Sequence, residues 1–230
     1  MKGIIKGVLF DLDGTLLDTA LDMTEALNAL RAQEGLGALS NETVRCQVSH
    51  GGHALVRLGF GTLPPDAHEA MRMRLLTIYR HQLARHTQLF EGGDEMLTEL
   101  ERRGLHWGIV TNKPGWLTEP LLIEVKLHTR ARAVVSGDTL SERKPHPLPL
   151  LHAAATMGVD PAHCVYVGDA ERDAQAAKAA GMYSLIAGFG YIGDDDRADE
   201  WFQHGWLNTP LDLLTWLDKP QRAAKMNGGA

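Results

Sequence analysis

The sequence predicts an α/β protein with a parallel sheet and a small all-helical segment inserted after the first strand. Three observations support this fold class. A short apolar run near the start ends in two carboxylates and a glycine. Helical patterns, with no convincing strand, occupy residues 17–86. From Phe90 onward, short apolar runs alternate with helical patterns of about 10–15 residues, which is typical of a parallel sheet with helices on both faces.

The first predicted strand extends from Gly3 to Phe10 and is interrupted by Lys6. Asp11 and Asp13 follow it at once, before a Gly-Thr turn. Because ligands of open α/β sheets bind just outside the carboxyl ends of strands, we expect both carboxylates to face a crevice. Asp, Gly and Thr are also ordinary turn residues, so a purely structural turn remains an alternative for this stretch taken alone.

Four predicted helices fill the inserted segment. Thr19 is expected to cap the first, which ends near Gln33 and carries an apolar stripe. Ser40 or Asn41 caps the second helix, and Gly51-Gly52 precedes the third. The stripe comprises Leu21, Ala26, Leu27, Leu30 and Ala32, the third helix covers 54–58, and the fourth extends from a cap at Asp66 through Leu83.

The later elements belong with the first strand, so we assign residues 1–16 and 87–230 to a core domain and 17–86 to a helical cap domain. We expect helices at 94–103, 116–125, 149–157, 173–181 and 210–217, the second interrupted by Pro120. We expect strands at 105–110, 133–135, 164–167 and 184–187, with Trp107 and Tyr166 in the core. Residues 219–230 are predicted to form a frayed end.

Composition narrows the class of protein. The chain has 230 residues and a net charge of −6 without a basic run, which argues against nucleic-acid binding. No apolar run approaches the roughly 20 residues that span a bilayer, and the N-terminus lacks a signal-peptide pattern, so we expect a cytoplasmic protein without membrane contact. Cys46 and Cys164 are expected to be small core residues rather than a disulfide.

Polar side chains follow three further predicted strands. Thr111-Asn112 follow the strand at 105–110, Lys144 follows the strand at 133–135, and Asp169 and Asp173 follow the strand at 164–167. Taken singly, a helix cap, a surface lysine and a turn explain them. Because the carboxyl ends of parallel strands lie at one edge of the sheet, we expect all of them to converge with Asp11.

This set of side chains fits phosphoryl transfer. A transferred phosphoryl group carries charge on three oxygens and needs cations and donors around it, here Lys144 and Thr111. Asp11 is the candidate nucleophile, forming an aspartyl phosphate, and Asp13 the candidate general acid and base. Mg²⁺ prefers carboxylate and carbonyl oxygens, so we expect it on Asp11, on the carbonyl of Asp13 and on Asp169.

Four motifs carry a resemblance to a known family. They are Asp11-Leu12-Asp13-Gly14-Thr15-Leu16, Val110-Thr111-Asn112-Lys113-Pro114, Lys144-Pro145 and Gly168-Asp169-Ala170-Glu171-Arg172-Asp173. In this order they resemble the motifs of the haloacid-dehalogenase-like (HAD) superfamily over essentially the whole chain. The resemblance implies a Rossmann-like core with an inserted helical cap, Mg²⁺ as cofactor, Asp11 as nucleophile, Asp13 as acid/base, and Asp169 and Asp173 at the metal.

Within the superfamily the chain resembles the phosphoglycolate-phosphatase branch. The stretches 89–92, 107–114 and 188–192 are similar to N-acetylmuramic acid 6-phosphate phosphatases. The resemblance implies a phosphatase acting on a small phosphorylated metabolite, either 2-phosphoglycolate or N-acetylmuramic acid 6-phosphate, as a monomer or weak homodimer. A β-phosphoglucomutase-like phosphotransferase and a non-catalytic binding protein remain alternatives, whereas Asp13 argues against a dehalogenase.

Substrate choice is expected to come from the cap. The loop Ser49-His50-Gly51-Gly52-His53 is the candidate for reaching the leaving group, although its glycines are equally suited to joining two helices. Arg45 and Arg57 are candidate partners for an anion, and Arg172 for the mouth of the site. Thr111, Asn112 and Lys144 are the candidate phosphate contacts, and Asp194-Asp195-Asp196 is expected to form a solvated loop.

Overall fold

The computed structural model describes residues 5–219. These residues contain eight strands: β1 (Gly7–Phe10), β2 (Leu17–Asp18), β3 (Gln88–Leu89), β4 (His106–Val110), β5 (Ala133–Val135), β6 (Cys164–Gly168), β7 (Tyr183–Ala187) and β8 (Gly205–Leu207). Nine α-helices accompany them: α1 (Ala20–Gln33), α2 (Asn41–Val48), α3 (Gly51–Phe60), α4 (Pro65–His81), α5 (Gly93–Arg102), α6 (Gly115–Glu124), α7 (Leu148–Met157), α8 (Glu171–Ala179) and α9 (Asp212–Asp218).

Six strands form one parallel sheet in the order β5-β4-β1-β6-β7-β8, which confirms the predicted fold class. The chain adds β4 and β5 on one side of β1, then returns to build β6, β7 and β8 on the other. The topological switch therefore lies at β1. Crevices for ligands open at such a switch, outside the carboxyl ends of the strands.

Apolar side chains cover both faces of this sheet, as alternation along β1 shows. Val8 and Phe10 pack with α5, α6 and α9, whereas Leu9 packs with α7 and α8 on the opposite face. All three side chains are almost fully buried. Burial on both faces explains why β1 has a continuous apolar run rather than alternation of polar and apolar residues.

Helices α1 to α4 lie between β2 and β3, which pair antiparallel. We call these helices the cap and the β2-β3 pair its neck. The cap has its own apolar cluster, which includes Leu27, Leu55 and Leu75 and also contacts Leu117 of α6. An insertion with a separate apolar cluster fits the predicted two-domain division, whose boundaries at residues 16 and 87 remain predictions.

Two of the predicted helix caps differ from the structure. Thr19 precedes α1, but its hydroxyl donates to Asp13 instead of accepting from the helix. Asp66 lies inside the first turn of α4, which begins at Pro65 because proline tolerates the position where no N–H is needed. The predicted cap at Ser40 is confirmed, since its hydroxyl accepts from the Thr43 N–H.

Several other expectations need correction. Helix α6 continues through Pro120, and α3 begins at Gly51 rather than after the glycines. Leu21 and Ala32 are exposed, so the buried stripe of α1 is narrower than predicted. The short strand β2 lies inside the stretch predicted to lack strands, and β3 and β8 were not predicted either. Cys164 is buried as expected, Cys46 is only half-buried, and both are free thiols. The frayed end predicted for 219–230 lies outside the described residues, except for its first residue.

Candidate active site

A cavity of about 530 Å³ lies between the carboxyl ends of the central strands and the cap. The structure brings most of the predicted site residues to its lining: Asp11, Asp13, Ser49, His50, Gly51, Thr111, Asn112, Lys144 and Arg172. Asp169 and Asp173 are not part of the lining and lie beside Asp11. The positions of these residues follow from the sheet, because β1, β4 and β6 are neighbours.

Three buried carboxylates, those of Asp11, Asp169 and Asp173, converge next to the cavity. Their oxygens lie within 4.8 Å of one another, and each residue is at most 2% exposed. Gly14 allows this close approach, since a Cβ at this position would overlap the Asp169 carboxylate and its φ of +80° favours glycine. Unbalanced, three buried negative charges would be strongly destabilising.

Lys144 neutralises part of this negative charge. Its ammonium is fully buried and lies 2.9 Å from Asp11 Oδ1 and 2.7 Å from Asp173 Oδ1. It also donates to the Val110 carbonyl and to the Tyr166 hydroxyl, at 2.8 and 2.7 Å. We call Asp11, Asp169, Asp173 and Lys144 the floor of the cavity.

The floor is held by groups that follow β4. Asn112 accepts from the Lys144 N–H and donates to the Lys144 carbonyl, at 3.1 and 2.9 Å, so its amide fixes the lysine backbone. Thr111 is buried and its hydroxyl accepts from the Lys113 N–H at 3.1 Å. Asn112 is thus engaged in holding the floor, whereas the Thr111 hydroxyl keeps its own proton to donate into the cavity.

Electrostatics differ among the three carboxylates. Burial opposes ionisation of Asp11, but the Lys144 ammonium and the Arg172 guanidinium hold its pKa below the ordinary value. Burial and the charges of Asp11 and Asp173 raise the pKa of Asp169 to about 7. The floor therefore has an excess of negative charge around Asp169.

A divalent cation fits this excess. Three convergent carboxylates offer the hard oxygen ligands that Mg²⁺ and Ca²⁺ bind. The raised pKa of Asp169 indicates that the cationic side chains alone do not balance the cluster. Four residues were predicted to hold the metal, and the carboxylates of three of them lie together in the structure. The Asp13 side chain is not part of this cluster.

The Asp13 side chain instead meets two donors. Its Oδ1 accepts from Lys113 Nζ at 2.9 Å and from the Thr19 hydroxyl at 2.7 Å. Lys113 is itself almost fully buried and also donates to the Tyr79 hydroxyl of α4 at 3.0 Å. Asp13 is therefore linked to the cap through Thr19 and Lys113.

Arg172 lines the cavity beside Asp11, whereas the mouth of the site was predicted for it. Its Nη2 atom is 3.6 Å from Asp11 Oδ2, and its buried Nε has no hydrogen-bond partner among the described residues. A buried guanidinium N–H without a partner is costly, and an oxyanion in the cavity would remove that cost. The arginine therefore marks an anion position next to the Asp11 carboxylate.

The cap contacts the floor directly through Ser49. Its hydroxyl donates to Asp169 Oδ2 at 2.6 Å, and the Tyr191 N–H donates to the same oxygen at 3.0 Å. The Tyr191 hydroxyl in turn accepts from the Thr19 and Ala20 N–H groups at the start of α1. Ser49 and Tyr191 thus join the floor to the cap and its neck.

Of the other predicted cap residues, His50 lines the cavity, whereas Arg45 and Arg57 do not. His50 lines the cavity and its Nε2 is 3.6 Å from Asp196, so the acidic run is not simply solvated. Arg45 does not face the cavity as expected, because it pairs with Asp18 at 2.9 Å and lies over the Tyr191 ring. Arg57 is exposed and is likewise absent from the cavity lining.

Sequence reasoning missed several residues of this site. Tyr166 was assigned to the core without a role, yet its hydroxyl lies 2.7 Å from Lys144 Nζ. The contact between Lys113 and Asp13 was not predicted, although a lysine just after a strand end was a usable signal. Arg72 and Arg143, which line the cavity where Arg45 and Arg57 were expected, gave no signal in the sequence.

Comparisons with known proteins show which family and which relatives the chain is similar to. A family model described as haloacid dehalogenase-like hydrolase matches residues 8–187. A phosphoglycolate phosphatase of Xanthomonas campestris is 48% identical over 192 residues, covering 83% of this chain and 87% of that protein. An N-acetylmuramic acid 6-phosphate phosphatase of Pseudomonas putida is 37% identical over 215 residues, covering 93% and 96%.

Solved structures show the same fold. A HAD-superfamily hydrolase of Geobacter sulfurreducens superimposes with a TM-score of 0.72 at 22% identity, covering 94% of this chain and 97% of that one. CbbY of Rhodobacter sphaeroides in complex with phosphate gives a TM-score of 0.74 at 22% identity, covering 94% and 100%. No helix within residues 5–219 has the length and apolar character needed to cross a membrane.

Proposed function

The chain belongs to the haloacid dehalogenase-like hydrolase family, and we propose that it hydrolyses a small phosphomonoester through phosphorylation of Asp11 with Mg²⁺ as cofactor. The observation that carries this proposal is the floor of the cavity. There a carboxylate with a lowered pKa, Asp11, meets a buried lysine and an arginine with an unpartnered N–H. A nucleophile surrounded by cations at a cavity matches what phosphoryl transfer requires.

Asp11 is oriented for attack. Its Oδ1 accepts from the Leu12 N–H at 2.7 Å and from Lys144, so this oxygen is fixed. The Oδ2 atom faces Arg172 at 3.6 Å and is the oxygen we assign to the attack on phosphorus. Arg172 and the Thr111 hydroxyl bind the oxygens of the phosphoryl group, while Lys144 keeps Asp11 ionised.

Asp13 acts on the other side of the phosphorus. We assign it the transfer of a proton to the leaving oxygen and, in the second step, the removal of a proton from water. Lys113 and Thr19 both bind its Oδ1, so its Oδ2 is the oxygen assigned to these transfers. The water then attacks the aspartyl phosphate and regenerates Asp11.

Mg²⁺ would be held by the carboxylates of Asp11, Asp169 and Asp173 together with the Asp13 carbonyl. When bound, it offsets the repulsion between the anionic nucleophile and the anionic phosphate. Ser49 and Tyr191 orient Asp169 from the cap side, since both donate to its Oδ2.

The names of the relatives suggest the substrate. Phosphoglycolate and N-acetylmuramic acid 6-phosphate, the compounds in those names, both carry a carboxylate besides the phosphate. The cavity volume of about 530 Å³ is within the ordinary range for small ligands and accommodates a sugar phosphate. We therefore propose a phosphorylated acid as substrate. A cytoplasmic location and the oligomeric state remain predictions.

Phosphate release from the two acids, with Mg²⁺ and with a chelator, tests the proposal. We expect turnover that the chelator abolishes and an Asp11→Asn variant at least about 10³-fold less active. Circular dichroism of the variant checks that it is folded, and Asp195→Asn on the surface is the matched control. Retained activity in Asp11→Asn would reject Asp11 as nucleophile, and phosphate transfer to a sugar instead of water would favour the phosphotransferase alternative.

A further inference from the structure

The cationic side chains of the cavity are paired unequally. Five of them, Arg72, Lys113, Arg143, Lys144 and Arg172, line it against three carboxylates, although the chain as a whole has a net charge of −6. Four of the five have a carboxylate partner: Lys113 has Asp13, Lys144 and Arg172 have Asp11, and Arg72 has Glu69. The Arg143 carbonyl accepts from the His146 N–H, but the Arg143 side chain makes no ion pair or hydrogen bond within residues 5–219.

Arg143 and Arg72 line the same cavity from different parts of the molecule. Arg143 precedes Lys144 in the core, and Arg72 lies on α4 of the cap. His53, at the start of α3, lines the same cavity, and burial together with the charges of both arginines lowers the pKa of its imidazole. We call His53, Arg72 and Arg143 the outer wall of the cavity.

The first turn of α3 makes room for this wall. A Cβ on Gly52 would come within 3.1 Å of Arg72 Cγ, so the glycine lets the arginine stem pack against the start of α3. Glu69 holds the Arg72 guanidinium through two hydrogen bonds of 2.8 and 2.6 Å, which fixes its direction. Arg72 is therefore a preorganised cation with one remaining nitrogen, Nη1, free of that pair.

We propose that the outer wall is a second anion site, which binds the carboxylate of a phosphorylated acid while its phosphate lies on the floor. Arg143 is the main contact, and Arg72 and His53 complete the site from the cap. This inference rests on the proposed function and names the substrate class of the same cavity. A phosphomonoester without the acid group would leave Arg143 unpaired, so the site would select against it.

Matched substrate pairs isolate the acid group. N-acetylmuramic acid 6-phosphate and N-acetylglucosamine 6-phosphate differ by the lactyl group, and 2-phosphoglycolate and ethyl phosphate by the carboxylate. In the unaltered protein we expect the acid of each pair to have the higher kcat/KM. Arg143→Met should lower kcat/KM for the acids by about 10- to 100-fold, mainly through KM, because a charge-assisted hydrogen bond is lost.

The neutral member of each pair should change by less than about 2-fold in Arg143→Met. Arg72→Met should show a smaller loss in the same direction. Arg132→Met and Arg74→Met remove arginines that lie outside the cavity lining and serve as matched controls. An equal loss for both members of a pair, or no loss for the acids, would overturn the second anion site.

Equilibrium binding separates this proposal from the proposed function. In the Asp11→Asn protein, where no turnover is expected, the acids should still bind more tightly than their neutral counterparts, and Arg143→Met should remove that preference. If the unaltered protein released no phosphate from any phosphomonoester but kept this binding preference, the proposed function would fail and the anion site would stand. If the protein hydrolysed phosphomonoesters but bound acids and neutral counterparts equally, the proposed function would stand and the anion site would fail.

Discussion

The floor and the outer wall of the cavity differ in how their charges are satisfied. On the floor, buried groups bind one another, and Lys144 alone contacts four oxygens. On the outer wall, Arg143 is exposed and its side chain has no ion-pair or hydrogen-bond partner within the described part of the chain. Residues that satisfy each other are suited to a fixed chemical step, whereas an unpaired cation is suited to choosing among ligands. The comparison therefore assigns catalysis to the floor and selectivity to the wall.

The largest effect is expected from breaking the floor at Lys144. Lys144→Met leaves Asp11 and Asp173 without their common cation, which should lower the free energy of unfolding by about 3–5 kcal/mol. Activity should fall at least about 10²-fold on every phosphomonoester, because the lost cation serves acids and neutral substrates alike. Chemical denaturation and phosphate release measure the two effects.

Lys178→Met is the control for the Lys144 variant, since Lys178 is exposed on α8. It should change stability by less than about 1 kcal/mol and leave activity unchanged. A Lys144→Met protein as stable as this control would contradict the view that the lysine balances buried carboxylates.

A second effect of similar or smaller size concerns pH. The pKa of Asp169 rises from 3.8 to about 7 on folding, so the stability linked to this group is present below about pH 4 and is lost as pH rises through 7. Without divalent cations, the loss is at most about 4 kcal/mol. Asp169→Asn should remove this part of the pH dependence and be more stable than the unaltered protein at pH 8.

Denaturation curves at pH 5 and 8, in chelator and in Mg²⁺, measure this prediction. Mg²⁺ should raise the stability of the unaltered protein at pH 8 more than that of Asp169→Asn, because the variant lacks the Asp169 carboxylate as a ligand for the ion. The surface variant Asp195→Asn should follow the unaltered protein throughout. Parallel pH profiles for all three proteins would reject an excess of negative charge on the floor.

A smaller effect is expected at the connection between floor and cap. Tyr191→Phe removes the hydroxyl that accepts from the Thr19 and Ala20 N–H groups. The Thr19 N–H is then without a hydrogen-bond partner among the described residues, and the Ala20 N–H keeps only Asp18. We expect a loss of about 1–3 kcal/mol in the free energy of unfolding and less than about 10-fold in kcat/KM. Differential scanning calorimetry and kinetics test this. A loss of activity as large as that of Lys144→Met would place Tyr191 on the floor instead.

The sequence predicted the floor because its residues follow strands. Asp11, Thr111, Lys144 and Asp169 each come after an apolar run, and the parallel sheet brings strand ends together at one edge. The central strands and most helices were likewise visible as apolar patterns. The short strands β2, β3 and β8 were missed, because two or three residues carry too little pattern to be recognised.

The outer wall could not be predicted in this way. Arg72 and Arg143 reach one cavity from a cap helix and a core loop, and no local pattern links positions so far apart in sequence. In the sequence Arg45 was an equally good candidate for binding an anion, yet in the structure it pairs with Asp18 of the neck and lies over the Tyr191 ring. Which arginine faces a cavity depends on how the cap packs on the core, and this depends on tertiary contacts that sequence patterns do not show.

The central claim is that Asp11 carries the phosphoryl group during turnover, and mass spectrometry tests it most directly. The Asp13→Asn protein is mixed with an aryl phosphate and Mg²⁺, quenched in acid and digested. An aryl leaving group departs without a general acid, so loss of the general base should let the intermediate accumulate. We expect the mass of one phosphoryl group on the peptide that contains Asp11, and none when Asp11 is also changed to Asn. A phosphoryl group on another residue, or on the doubly changed protein, would contradict the account.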